Sequence, residues 1–479
     1  MTDEDEPPLR AERDSFAGSE RGFKGARRSA PLLNPTEARR KLVHMGVGGF
    51  ALLLRFMTWR QAALMAVAAF FFNWHALPRL GGRGLWREAD HGRGYPLGIL
   101  LYPLAVLALI LVFRDELWKA AAVWGLLAVG DGMAAFFGLA AGGPRLPWNR
   151  DKSWAGFLAF ALFGTMAASV LAAWTLRMPL AAWASAPILA LIVPVALVSA
   201  LVESMPTTLD DNLTVPLAGA AAIALFSLAE PARLLEDPDV GPRLLLGLVV
   251  NGVIAGAARA TSSLDTAGAA SAVIIGTAIT AGLGLAGLLL MIVFFVLGSA
   301  ATRLGHARKA GRGIAQEKGG ARGWRNAWAN GGVPAVLALM AAMAPSELRA
   351  VCTLAYAAAV ATAAADTCSS EVGKAYGDRT IGITTLQPVP PGTEGGISLA
   401  GTLAGAAAAA LVAAMGPGGR LYAWTLVPLV AVAGVLGSLA ESVLGAVAER
   451  RGWMGNDVLN ALNTAFGAAI AALLLQVLS

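Results

Sequence analysis

The sequence predicts an all-α, polytopic membrane protein, and three observations predict it. Hydrophobic residues make up 56% of the 479 and charged residues only 14%, for a mean hydropathy of +0.62. Apolar runs of about 18–25 residues, long enough to cross hydrocarbon, recur along nearly the whole chain after residue 41. The ten-residue polar–apolar alternation of a transmembrane barrel is absent.

Residues 1–35 are polar, charged and Pro-containing, with no hydrophobic signal core, and read as a disordered cytosolic tail. Spans are then expected at 42–57, 59–78, 95–113, 117–141, 154–174, 179–202 and 213–230. Beyond an acidic connector come 243–258, 268–298, 331–345, 349–366, 397–415, 422–443 and 458–478. The run 268–298 is too long for one crossing and carries Gly282 and Gly284 at its middle, so it divides into a hairpin. The expectation is about 15 transmembrane helices: two parallel repeats of about 7, joined by a linking helix. The domains are then 36–232, a connector with linking helix at 233–262, and 263–479.

The net charge of +6 and pI near 9.6 do not call for nucleic acid, because Lys and Arg sit in short loops between apolar runs. Alternation from the basic segment Arg21–Lys41 places loops 79–94, 143–153 and 299–327 on the cytosolic side and the acidic connector outside. The expected location is a bacterial inner (plasma) membrane, with membrane lipids as neighbours and the N-terminus in the cytosol. Cys352 and Cys368 cannot form a disulfide framework or zinc site, and the four histidines lack metal-ligand spacing.

Aligning the two halves exposes a repeat. In the first, a helix ends near Asp131, a loop runs to Ser153, a helix pair returns to Glu203–Ser204, and "LDDN" opens the last span. In the second, a helix ends at Asp366, a loop "TTLQPVPPGTEGGISLAGT" follows, a pair returns to Glu441–Ser442, and "GNDVLNALNT" opens the last span.

The candidate chemistry lies at these ends. Ionisable groups at membrane depth are costly unless paired, solvated or bound to a cation, so Asp131 and Glu203 are functional candidates, with Asp210, Asp211 and Asn212 beside them. Carboxylates with an Asn suit Mg²⁺; the alternative for "LDDN" is an exposed loop and helix cap. Lys152 and Ser153, with Asn149, Arg150 and Gly156, surround a helix start whose free N–H groups suit phosphate. No Walker motif is present. Arg40 and Lys41 in "RRKLVHMG" are either snorkelling anchors or phosphate contacts, and His44 lies one turn into the span.

In the second half, Asp366 shares a helix face with Ser369 or Ser370, next to Glu371. Gly392, Thr393, Gly395, Gly396 and Ser398 form a phosphate-cradle sequence before a helix, without a lysine. Positive charge there is expected from Lys374, Arg379, Arg322 or Arg325. Asn330 is expected at the same site, one turn from Asn326, and Asp457 begins a polar stripe with Asn456, Asn460 and Asn463.

Through "RKLVHMG", "VGDGMAAFFG", "PWNRDKSWAGFLAF", "VES" and "DDNLTVPL", the first half resembles the CTP-dependent polyprenol kinase family, which includes dolichol kinase and phytol kinase. Through "RNAWANGG", "AAADTCSSEVG", "TTLQPVPPGTEGGISLAGT" and "GSLAESVLGA", the second resembles the family containing phytyl-phosphate kinases. The fusion of the two in one chain is a departure from their usual separation.

The resemblance implies a bifunctional kinase using CTP or another NTP with Mg²⁺. It would convert a prenyl alcohol to the monophosphate and then the diphosphate. Asp131, Lys152, Glu203, Asp366, Glu371 and Glu441 would be catalytic. Metal would be held by Asp131, Asp210, Asp211, Asn212, Asp366 and Asp457. Nucleotide and phosphate would be held by Arg40, Lys41, Asn149, Ser153, Gly156, Arg325, Asn330, Gly392, Thr393, Gly395, Gly396 and Ser398. The rivals are a lipid transporter or flippase, whose acids belong at the bilayer centre, and a cytidylyltransferase forming CDP-lipid.

Overall fold

The computed structural model describes residues 35–141, 143–314, 322–449 and 451–478; nearly all of the expected tail lies outside them. The longer helices are α1 (Pro35–Gly48), α2 (Trp59–Phe71), α3 (Leu97–Val112), α4 (Leu117–Ala140), α5 (Trp154–Thr175), α6 (Ala186–Glu203) and α7 (Asp211–Phe226). They continue with α8 (Val240–Ala260), α9 (Thr266–Arg303), α10 (Trp324–Met343), α11 (Ser346–Tyr376), α12 (Leu399–Gly418), α13 (Trp424–Ala448) and α14 (Asn456–Leu478). The described strands are β1 (Thr380–Gly382) and β2 (Gly396–Ser398), antiparallel with Thr380 opposite Ser398. The protein is an all-helical integral membrane protein: among the described residues nine helices are long and apolar enough to cross a bilayer.

α9 counts once among those nine, yet it is bent back on itself. Gly284, at φ 66° and ψ −165°, interrupts its 38 residues with a conformation that only glycine adopts cheaply. The two ends meet, because Arg303 Nη2 at the far end donates to Thr261 O at 3.1 Å and Ser263 Oγ at 2.9 Å just before the near end. The hairpin expected at Gly282 and Gly284 therefore turns at the second glycine.

Each half wraps around one central helix. Within an apolar 18-residue stretch of each, 72% of α4 and 78% of α11 is buried, against 17% for the linking helix α8. Both are rich in alanine, whose small side chain lets neighbouring backbones approach where lipid offers no hydrophobic drive: Ala120, Ala121, Ala122 and Ala128 are buried on α4, as is Ala355 and most of Ala357–Ala365 on α11. Gly219 on α7 meets Val123 and Ser199 at 2.9 and 3.3 Å from where a Cβ would stand, so larger residues would separate α7 from α4 and α6.

Two expected helix ends are corrected. α4 continues to Ala140, passing through a π-helical turn, Leu126–Gly130, that immediately precedes Asp131; such bulges are frequent at functional sites. α11 continues past Asp366 to Tyr376. Both acids thus lie inside the central helices rather than at their ends. The first apolar run is also not one regular helix, since Gly49–Arg55 tightens to a 3₁₀ turn after α1.

The halves join at the end of the molecule that carries the loops. Thr208 N–H donates to Trp453 O at 3.0 Å, Arg325 Nη2 donates to Pro147 O at 3.1 Å, and Trp148 lies edge-on to Trp324 with centroids 6.1 Å apart. The two acid-bearing regions therefore face the same end.

Candidate active sites at one end of the two halves

The first cavity, about 280 Å³, opens where α1, α4, α5, α6 and α7 converge. Ser153, extended at φ −123°, caps α5 by accepting from Gly156 N–H at 3.2 Å. Gly156 lies against α4 so closely that a Cβ there would stand 2.9 Å from Ala134 O. This contact seats the start of α5 beside Asp131. The loop before it is a tight turn: Leu146 N–H donates to Lys152 O at 3.0 Å and Trp154 N–H to Pro144 O at 3.0 Å.

Three acids meet there. Asp131, Glu203 and Asp211 each place a carboxylate oxygen within 4.8 Å of the other two. Hard oxygen donors at that spacing suit one divalent cation, and Mg²⁺ takes such ligands together with substrate phosphates. Lys41 Nζ holds both oxygens of Asp131, at 2.8 and 2.7 Å. His44 Nε2 lies 3.5 Å from Asp131 Oδ2 and 2.9 Å from Leu127 O, a carbonyl in the π-helical turn. Lys152 pairs with Glu203. Burial pulls the Lys152 ammonium down, but the Glu203 and Asp211 carboxylates outweigh it and hold the group above the ordinary lysine range. Arg40, Arg87 and Arg145 also line the cavity.

Of the residues expected here, Asp131, Glu203, Asp211, Lys41, Lys152, Arg40, Ser153 and Gly156 line this cavity. Asp210 and Asn212 do not. Asp210 is the N-cap of α7, accepting from Asn212 N–H at 3.0 Å and Asn212 Nδ2 at 2.8 Å, and it pairs with Arg87 at 3.1 Å. Successive residues at a helix start point about 100° apart, so only Asp211 turns inward. Asn149 braces the loop instead, donating to Ser204 O at 3.1 Å and accepting from Asp151 N–H at 3.0 Å.

The second cavity, about 180 Å³, has the same construction. Ser398, extended at φ −134°, caps α12 by accepting from Gly401 N–H at 3.2 Å. A Cβ on Gly401 would stand 3.3 Å from Gly373 Cα of α11, the counterpart of the 3.4 Å between Gly156 and Gly138 Cα. Gly138 and Gly373 each follow their acid, Asp131 or Asp366, by two helical turns. Asp366 and Glu441 are hydrogen-bonded to one another through their side chains. Gly392, Thr393, Gly395, Gly396, Ser398 and Glu371 line the cavity, with Lys374 and Arg322 as its cations. Burial lowers the Arg322 guanidinium from its ordinary value, opposed by Glu371.

Three expected residues make other contacts, and a fourth lies outside the cavity. Glu371 lines the cavity but pairs with Lys309, which is 1% exposed and also donates to Thr302 O at 2.7 Å. That carboxylate clamps the His306–Gly311 turn to α11. Arg325 holds Pro147 O and Trp148 O of the first half. Asn330 is buried and donates to Asn326 O, one turn back, at 3.0 Å. Asp457 does not line the cavity, because Asn456 and Asn460, four residues apart, present the inward face of α14.

Sequence reasoning passed over Lys309, Arg87, Arg145 and Glu394, all in loops or short turns where a charge is the default expectation. For Arg87 and Arg145 no local pattern marks the inward direction. Glu394 carried a signal, a carboxylate flanked by glycines within the loop read as a phosphate cradle.

A family model described as "Integral membrane protein DUF92" matches residues 249–468. An uncharacterized membrane protein of Synechocystis is 42% identical over 199 residues, 41% of this chain and 77% of that protein. Protein VTE6, chloroplastic, of Arabidopsis thaliana is 34% identical over 47% of this chain and 68% of its own length. Probable phytol kinase 1, chloroplastic, of Glycine max is 30% identical over 39% of this chain and 66% of its own length. No solved structure matches. The match spans α11, the capped start of α12 and the second cavity, and the chain belongs to the DUF92 family of integral membrane proteins.

Proposed function

We propose that this protein is a prenyl-alcohol kinase with two sites. The first half would transfer a phosphoryl group from CTP or another nucleoside triphosphate to an isoprenoid alcohol, releasing the nucleoside diphosphate. The second would phosphorylate the resulting monophosphate to the diphosphate. The observation that carries the reading is the duplicated cavity: a carboxylate cluster facing a serine-capped helix start, twice, at one end of a membrane protein. The printed name of the phytol kinase relative supports the substrate class.

Phosphoryl transfer asks mainly for positioning and charge stabilisation. Mg²⁺, when bound by Asp131, Glu203 and Asp211, would neutralise charge on the transferred phosphate. Lys152 and Arg40, on the rim, supply donors to the nucleotide's phosphates. Lys41 and His44 fix the direction of the Asp131 carboxylate. A prenol held in the bilayer brings its hydroxyl to this boundary, where a carboxylate of the cluster takes its proton as the new P–O bond forms and the bond to the departing diphosphate breaks. Lys374 and Arg322 meet the additional charge of the monophosphate acceptor in the second half.

The test is purified protein with Mg²⁺, geranylgeraniol or phytol, and each nucleoside triphosphate, with products identified by mass spectrometry. Monophosphate and diphosphate are expected, with nucleoside diphosphate released. Lys152→Ala should lose the monophosphate; Asp366→Ala should accumulate it. Pyrophosphate with a CDP-lipid product would instead identify a cytidylyltransferase, and no lipid product with any nucleotide would overturn the kinase.

A further inference from the structure

The second cavity reaches down between membrane helices. α11, α12 and α13 each line it over successive turns, with residues three and four apart sharing one face. On α12 these are Thr402, Gly405 and Ala406, beyond the capped start; on α13 they are Val435, Ser438 and Leu439, beyond Glu441. At 1.5 Å per residue, Ala406 lies about 12 Å from Ser398, and Val435 about 9 Å further from the loops than Glu441. α12 and α13 are both long and apolar enough to cross a bilayer, so this end reaches hydrocarbon depth. Deeper still the helices close, since a Cβ on Gly434 of α13 would stand 3.3 Å from Ala409 Cβ of α12 and 2.9 Å from Ala361 Cβ of α11. Above that contact the cavity separates them.

The lining changes character along that length. The outer end has Lys374, Arg322 and the capped start of α12, which suit an anion. The inner end is made by Ala365, Gly405, Ala406, Val435 and Leu439, with the Asp366–Glu441 pair between the two. Ala406, Val435 and Leu439 keep part of their surface open, and Leu403 and Leu436 beside them are 60% and 42% exposed. An anion-binding mouth above an apolar end at hydrocarbon depth fits one amphiphile, its chain in the membrane and its charged head beside the acids. We propose that the inner end of this cavity, between α12 and α13, is the subsite for the hydrocarbon chain of the acceptor, taking the isoprenoid unit next to its phosphate, with Ala406 and Val435 setting the width. The use of that lipid as a phosphoryl acceptor rests on the kinase reading of this cavity, but its binding does not.

The purified full-length protein in detergent, without nucleotide, is photo-labelled with a geranylgeranyl monophosphate analogue that carries a diazirine on its first isoprenoid unit. Labelled residues are found by mass spectrometry. Label is expected on α12 between Thr402 and Ala409 and on α13 between Val432 and Leu439, and geranylgeranyl monophosphate should protect at least tenfold better than geranylgeraniol. Ala406→Leu and Val435→Phe should each raise the analogue concentration for half-maximal labelling at least tenfold. Ala407→Leu, on the exposed side of α12, should leave it unchanged. Absence of label from α12 and α13, equal protection by the alcohol, or unchanged labelling in either cavity variant overturns the proposal. Melting temperature is measured for each variant; if neither cavity variant folds, Ala406→Val must label more weakly, and unchanged labelling there overturns the proposal equally. If label lands as expected but no diphosphate forms with any nucleoside triphosphate, the kinase reading fails and the subsite stands; diphosphate formed without that label does the reverse.

Discussion

Lys41 and Asp131 are 90 residues apart in the chain, yet the lysine ammonium contacts both oxygens of the aspartate, at 2.8 and 2.7 Å, where both side chains are almost wholly buried. Removing one partner of a buried pair leaves an uncompensated charge and costs about 3–5 kcal/mol. Lys41→Met should therefore lower the melting temperature clearly, and Lys41→Arg, which keeps the charge, much less. Monophosphate formation should fall by about two orders of magnitude in Lys41→Met, as expected when a preorganised charge is lost. Thermal melts and product analysis check both.

The Lys152–Glu203 pair predicts an alkaline limb. Lys152 is held above its ordinary value by Glu203 and Asp211. A folded-state value above the unfolded one means the contribution is complete below the unfolded lysine value, about 10.4, and is lost as pH rises through the folded value. Stability should thus decline above about pH 10, and Lys152→Met should flatten that limb. Melting temperature against pH, from 8 to 11.5, is the measurement; identical limbs would count against the pair.

The wholly buried Lys309–Glu371 pair should behave as a unit. Lys309→Met and Glu371→Gln singly should each cost about 3–5 kcal/mol. The double variant should cost much less than their sum, because neither charge is then stranded. A double-mutant cycle on unfolding decides it; additive losses would exclude the coupling.

Arg325 belongs to the second half but holds the Lys152 loop of the first through Pro147 O and Trp148 O. Arg325→Ala should lower monophosphate formation several-fold through a higher KM for nucleotide, with the second step measured on added prenyl monophosphate nearly unchanged. Separate assays of the two steps distinguish this from general instability, which would lower both.

Much of this protein was legible before folding. A carboxylate in an apolar run is expensive wherever it ends up, so Asp131, Glu203, Asp366 and Glu441 stood out, and all four line the two cavities. The hairpin at Gly284 was legible because hydrocarbon thickness limits a helix. Loop and helix-start residues were less so. Asp210 and Asp211, or Asn456 and Asp457, carry similar side chains one position apart, and helix phase selects which of them turns inward.

Composition and span length by themselves determined a helical integral membrane protein, because the bilayer penalises polar groups residue by residue. Which charges pair was decided only in three dimensions. Lys41 with Asp131, Lys309 with Glu371, and Arg325 with the opposite half are long-range contacts, and packing alone chooses their partners.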